Sequence, residues 1–154
     1  MHEVELVERP SRRVIGLPHR GAYNRIGPVF EQLAAALTER ELWPEAVEFL
    51  GIYYDDPESV EERDLRSMAG IAVRDDLGLP AGLEQVRLPA GRYAVLHHRG
   101  PYSGLPDAWT WLHGEWLPKS GLAQRDGPAA EIYRNSPGQV AEAELLTDIC
   151  LAIA

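Results

Sequence analysis

The chain is poor in cysteine, in long apolar runs and in clustered positive charge, and each shortage excludes a class of protein. Cys150 is the single cysteine among 154 residues, which excludes an internal disulfide and a cysteine-built zinc site. No segment approaches the roughly 18 apolar residues of a membrane span, and the polar, acidic beginning lacks the apolar stretch of a secretory signal. The formal charge is −9, and the 15 Lys and Arg residues are scattered along the chain. Phosphate binding needs clustered basic side chains, so neither a nucleic acid nor a membrane is an expected partner. What remains, 45% apolar and 25% charged, is an ordinary globular composition, expected in the cytoplasm.

What is present is a duplication. His19-Arg20-Gly21-Ala22-Tyr23 recurs 79 residues later as His98-Arg99-Gly100-Pro101-Tyr102. Gly51-Ile52-Tyr53 and Pro57 recur 80 residues on as Glu131-Ile132-Tyr133 and Pro137. Glu62 and Leu65 reappear as Glu142 and Leu145. Such a unit, used twice, predicts a single domain over 1–154 with repeats at about 1–76 and 83–154, related by a pseudo-twofold axis. The informative positions are those where the copies disagree, above all Gly51 against Glu131.

Periodicity gives each repeat the order β-α-β-β. Alternation over 3–7 and β-prone residues over 12–17 predict strand, and the stripe Val29, Leu33, Ala36, Leu37 predicts a helix ending near Leu42. Residues 47–54 and 68–73 read as further strands, and 77–82 as the connector. The second copy gives a strand over 92–99, a helix over 105–117, and strands over 129–134 and 145–153. The predicted class is α+β, an antiparallel sheet covered by two helices. Strand alternation puts Ala69, Ile71, Val73 and Ile149, Leu151, Ile153 beneath the helices. The equivalent apolar pair Ile52 and Ile132 is assigned to that same core. Phe49, Gly51, Tyr53 and Glu131, Tyr133 then fall on the opposite face, beside Met68 and Asp148. That surface carries tyrosines, small residues and one central carboxylate, a composition suited to a ligand cleft.

A carboxylate among aromatic and small apolar groups loses hydration, attracts a lipophilic cation, or serves as a proton acceptor. Aromatic walls add cation–π attraction of about 0.5–2 kcal/mol per contact. The competing reading places Glu131 in solvent, or in an ordinary ion pair with Arg134 or Arg125. Trp109 and Trp116 align with Phe30 and Leu37, which assigns them to helix packing, whereas Trp111 aligns with Gln32 and is expected at a cleft edge or interface. Asp148 is a secondary candidate that could instead satisfy strand-end amides. His19 and His98 recur inside the duplicated turn element, which favours structural hydrogen bonding over a metal site, and no metal or cofactor is expected. Cys150 reads as a buried, inert thiol.

The tandem halves, the His-Arg-Gly-x-Tyr element before each helix, Ala130-Glu131-Ile132-Tyr133 followed by Asn135 and Pro137, and the closing segment Glu144 to Ile149 resemble the GyrI-like small-molecule-binding domain. The resemblance covers essentially the whole chain. It implies an SHS2-type duplicated fold with a ligand cleft between the halves, and Glu131 as the carboxylate contacting cationic, aromatic ligands. Ligand contacts from Tyr53, Tyr133, Phe49, Gly51, Met68, Trp111 and Asp148 complete the expected site. The family includes effector-binding halves of AraC-type and MerR-type multidrug regulators, and stand-alone proteins related to the DNA gyrase inhibitory protein. The regulators carry a helix-turn-helix ahead of this domain, and here the first strand starts at once, so a stand-alone binding protein is expected.

Three functions stay open. The leading one is binding and sequestration of a hydrophobic, aromatic, cationic compound. The second is hydrolysis of cyclopropane-bearing electrophiles, as the resemblance implies for some stand-alone members, with Glu131 activating water and Tyr53 or Tyr133 assisting. The third is inhibition of DNA gyrase by protein contact. A homodimer is also left open.

Overall fold

The computed structural model describes residues 2–154 and contains two units. One is Ser11–Pro89; the other combines the residues up to Pro10 with Ala90–Ala154. Each is an antiparallel four-stranded sheet with a helical run, the α+β class expected. In chain order the strands are β1 (Glu3–Arg9), β2 (Arg12–Arg20), β3 (Glu48–Tyr53), β4 (Arg66–Val73), β5 (Glu84–Leu88), β6 (Gly91–Arg99), β7 (Ala129–Tyr133) and β8 (Leu146–Ala152). The 11–89 unit has the order β3-β4-β2-β5, and the other unit β7-β8-β6-β1. The outer strands thus cross the repeat boundary: β1 pairs with β6, and β5 with β2. β5 is an addition to the expected elements. Its residues Glu84-Gln85-Val86-Arg87-Leu88 form a mostly polar edge strand whose alternation is too short to stand out beside the preceding Pro80-Ala81-Gly82 turn.

The helix of the first repeat, α1 (Gly27–Glu39), starts with Pro28 in its first turn and buries Leu33 and Leu37. They pack with Ile15, Ala69, Ile71 and Val73. In the second repeat the run comprises α2 (Leu105–Trp111), a π turn (Leu112–Trp116) and α3 (Leu117–Ser120), ending on left-handed Gly121 at φ 74°. Leu105, Ala108 and Leu112 pack there with Leu96, Ile149, Leu151 and Ile153. The π turn explains why the repeat spacing changes. Leu33 and Leu112 correspond at 79, whereas the left-handed residues Glu41 and Gly121 that follow the helices correspond at 80. One extra residue has entered the second helix and is absorbed as a wider turn. Among the described residues no helix is long and apolar enough to cross a membrane.

The duplicated His-Arg-Gly element does identical structural work in both copies. Gly21 and Gly100 adopt φ of 119° and 129°, and their N–H groups donate to Leu65 and Leu145 at 2.8 Å. His19 Nε2 donates to the Ala22 carbonyl and His98 Nε2 to that of Pro101, each at 3.1 Å. These are the structural hydrogen bonds expected from the repetition.

β2 and β4 approach so closely that a Cβ on Gly16 would lie 2.0 Å from the Ala69 carbonyl oxygen. Backbone cannot give way as a flexible side chain does. Gly16→Ala is therefore expected to destabilise the fold by about 3 kcal/mol or more. Chemical denaturation of the variant checks this.

Candidate functional site

Glu131 lies in the middle of β7 and is 6% exposed. Cross-strand partners share a face of a sheet, and Glu131 pairs with Ile149, a residue of the helix-covered core. Gly51 likewise pairs with Ala69, Phe49 with Ile71 and Tyr53 with Ser67. The expected assignment of these residues to the helix-free face is thereby corrected. Ile52 and Ile132 are core residues, but they are buried on the other side of the sheet from the helices, paired with Met68 and Asp148. With a side-chain period of two, misplacing one isoleucine inverts the whole strand.

On the helix side the carboxylate meets α2. Trp109 Nε1 donates to Glu131 Oε2 at 2.7 Å, and the Tyr133 hydroxyl donates to Oε1 at 2.8 Å. Both donors are neutral, so they stabilise the negative charge without cancelling it. Tyr102 stands edge-on to Tyr133 with ring centroids 5.6 Å apart. Burial, and then the Glu131 charge, push the Tyr102 phenol above its ordinary pKa. His113, in the π turn, stacks on Trp109 at 5.8 Å. The hydroxyl of Thr147, opposite Tyr133 in the register, is buried with no hydrogen-bond partner, as is Ser67 at the equivalent position. Trp109, Tyr102 and His113 were not expected here. The aligned Phe30 made Trp109 look like packing alone. The usable signal was that tryptophan, unlike phenylalanine, carries an N–H donor, and that it occurs in the copy that also has the glutamate.

The other expected residues are placed as follows. Tyr133 is at the carboxylate. Tyr53, Phe49 and Gly51 belong to the 11–89 unit, where Tyr53 stands edge-on to Tyr23 at 4.8 Å and Phe49 packs beside Trp43. Trp111 is half-buried against His2, with ring centroids 4.7 Å apart. Met68 lines a pocket of about 420 Å³ on the helix-free face of its unit. Arg134 ion-pairs with Asp148, and Arg125 lies over the Tyr93 ring at 5.2 Å.

Residues 2–154 match the family model described as the GyrI-like small molecule binding domain. The chain belongs to the GyrI-like family. It is 31% identical over 137 residues to a DNA gyrase inhibitor of Yersinia enterocolitica, covering 85% of each chain. Its fold is similar to the C-terminal domain of EcmrR, with a TM-score of 0.78, 17% identity and coverage of 100% of this chain and 98% of that one. It is also similar to SAV2435 bound to tetraphenylphosphonium, with a TM-score of 0.75, 12% identity and coverage of 99% and 94%.

Asp148 separates from the Glu131 site by both face and chemistry. It is 2% exposed and is held by two potential cations, Arg134 on one oxygen and His97 Nδ1 on the other at 2.7 Å. His97 Nε2 in turn meets Glu5 of β1 at 2.9 Å. This chain ties edge strand β1 to the centre of the GyrI-like domain's second unit. Burial lowers the His97 pKa, but the hydrogen bonds to Glu5 and Asp148 outweigh it and leave the group above 6.5. A raised folded-state pKa means that the protonated imidazole stabilises the fold. That contribution is complete below about pH 6.5, the value of a free imidazole, and is lost as pH rises through the folded-state value. The urea midpoint should therefore fall as pH rises from 6 to 8, and His97→Gln should flatten that dependence.

Proposed function

We propose that this GyrI-like domain binds a hydrophobic, aromatic cation, with Glu131 as its counter-charge. One observation carries the reading: a buried carboxylate held by an indole N–H and a phenol O–H, with aromatic rings around it. Taking a carboxylate out of water is costly. Two hydrogen bonds to a charged acceptor return about 1.5–3 kcal/mol each, and neither of these donors brings a positive charge. A lipophilic cation gains from the carboxylate's charge without needing the hydrogen bonds that a hydrated ion demands. The faces of Trp109, Tyr133 and Tyr102 supply cation–π surfaces of a kind suited to it.

The Trp109 indole already occupies Glu131 Oε2, so a ligand that takes that oxygen displaces the indole. Binding and tryptophan emission are consequently coupled. Tetraphenylphosphonium is the appropriate first probe, because it is cationic and aromatic and has no hydrogen-bond donor. Hydrolysis of an electrophile would use the same carboxylate as base, with Tyr133 orienting a water, and it begins with the same binding step. The prediction for binding is direct. Glu131→Gln lowers tetraphenylphosphonium affinity by about tenfold or more, equivalent to about 1.4 kcal/mol, while stability holds or rises. Titration followed by tryptophan fluorescence measures this, and equal affinity in the two proteins would sink the proposal.

The name of the Yersinia relative supports a second reading, in which the chain inhibits DNA gyrase by protein contact. A surface carrying a net charge of −9 gives it the electrostatics for a basic partner. In a supercoiling assay this reading expects the purified domain to slow gyrase, with Glu131→Gln slowing it equally. Unchanged supercoiling in the presence of excess domain would eliminate it.

A further inference from the structure

The two units differ most on their helix-free faces. In the unit containing Ala90–Ala154 an alternating ion chain crosses that face: Glu5, His97, Asp148, Arg134. The register identifies its counterparts in the 11–89 unit. Glu5 pairs with Val95 and Glu84 with Gly16, its repeat equivalent, so Glu84 stands where Glu5 does. Pro18 replaces His97 and Met68 replaces Asp148, and these two are again register partners. Tyr54 replaces Arg134, and each donates its backbone N–H to the next strand at the same place, Arg66 and Leu146. The outer charge has been kept and the central ion pair removed.

The place of that ion pair is open. A pocket of about 420 Å³ lies there, lined by Pro18, Arg20, Tyr54, Arg66, Met68 and Glu84 among others. This is within the range of small-molecule sites, about 300–1,000 Å³. Its charges are arranged by position along β2. Glu84 sits beside Gly16, and Arg20 lies four residues further on, roughly 13 Å for an extended strand. Arg20 pairs directly with Arg66, and like charges in that position repel. Asp55 answers Arg66 with two side-chain hydrogen bonds, at 2.9 and 3.1 Å. Among the described residues neither Arg20 nor Glu84 forms an ion pair. The middle is apolar: Pro18, the Met68 thioether and the Tyr54 ring, over which Arg66 lies at 5.7 Å. Ser67 also lines the pocket, although its register with Tyr53 turns its side chain to the opposite face.

We propose that this pocket binds a compact zwitterion with an apolar body, its cationic group toward Glu84 and its anionic group toward Arg20 and Arg66. Such a ligand restores, in the same polarity order, the ion pair that His97 and Asp148 supply in the other unit. The site is separate from Glu131 and does not rest on the function proposed above.

The test uses three probes of one shape in chemical-shift titrations of the full chain. 4-(Aminomethyl)benzoate carries both charges, benzylamine only the cation and benzoate only the anion. The zwitterion should bind about three- to fivefold more tightly than either, the worth of one exposed ion pair, with resonances of Ser67 and Met68 shifting. Glu84→Gln should erase its advantage over benzoate, and Arg20→Gln its advantage over benzylamine. Both residues are exposed, so the fold tolerates the changes. Glu131→Gln should leave all three affinities unaltered. Equal affinity for the three probes, no binding, or an advantage that survives both substitutions overturns the proposal.

Discussion

The hydrogen bond from the Trp109 indole to Glu131 is the constraint around which the second unit is organised. A carboxylate facing the helix-covered side of a sheet has little access to water, so its lone pairs are met by donors on the elements around it. Trp109 comes from α2 and Tyr133 from β7 itself. One charged group thus links helix to sheet, where ordinary packing would do so without direction. The sister unit shows the same frame with that constraint removed. Gly51 stands in place of Glu131 and Phe30 in place of Trp109, so the donor is absent together with the acceptor. Tyr53 remains in the position of Tyr133 and turns its ring toward Tyr23. The paired change is what a hydrogen-bonded couple requires: either member alone would leave a buried polar group unmet.

The helix that carries Trp109 is also the one that departs from regularity. Its π turn begins at Leu112, three residues after the tryptophan, and places His113 against the indole. π turns are rare and occur disproportionately at functional sites, because one extra residue re-aims the side chains around it. The turn elements ahead of both helices, in contrast, are unchanged between the copies down to the histidine–carbonyl bond. Divergence has been confined to the faces and spared the corners that hold the sheets in register.

Much of this was legible in the residues. The duplication, the α+β class, the apolar sets of β4 and β8 and the structural part of His19 and His98 all follow from repetition and alternation. The choice of Glu131 as the candidate residue followed from its disagreement with Gly51. Its direction did not, because Ile52 and Ile132 look like core residues and are core residues, but of the other face. Alternation sorts a strand into two sets without saying which set lies under the helix when both are buried. The change of spacing from 79 to 80 residues was visible in the sequence and marked the π turn, yet spacing alone does not say whether an added residue enters a helix or a loop. The exchange of β1 and β5 was the least accessible feature. Edge strands carry little apolar signal, and their partners are chosen by chain geometry beyond the reach of local pattern.

Two buried carboxylates in one unit, Glu131 and Asp148, are held in physically different ways. Asp148 is matched by charge: Arg134 and His97 lie on its two oxygens, and the interaction continues to Glu5. Removing one member strands another, so the chain ties strands together. Glu131 receives its hydrogen bonds from an indole and a phenol, which satisfy oxygen lone pairs but bring no positive charge. The low-polarity surroundings that make such a charge costly also strengthen its attraction for a cation that enters. Burial alone therefore does not distinguish the two groups, and neither does residue type. The distinguishing quantity is the charge carried by the donors that hold each carboxylate: neutral in the Trp109–Glu131–Tyr133 cluster, and a guanidinium and an imidazole at Asp148.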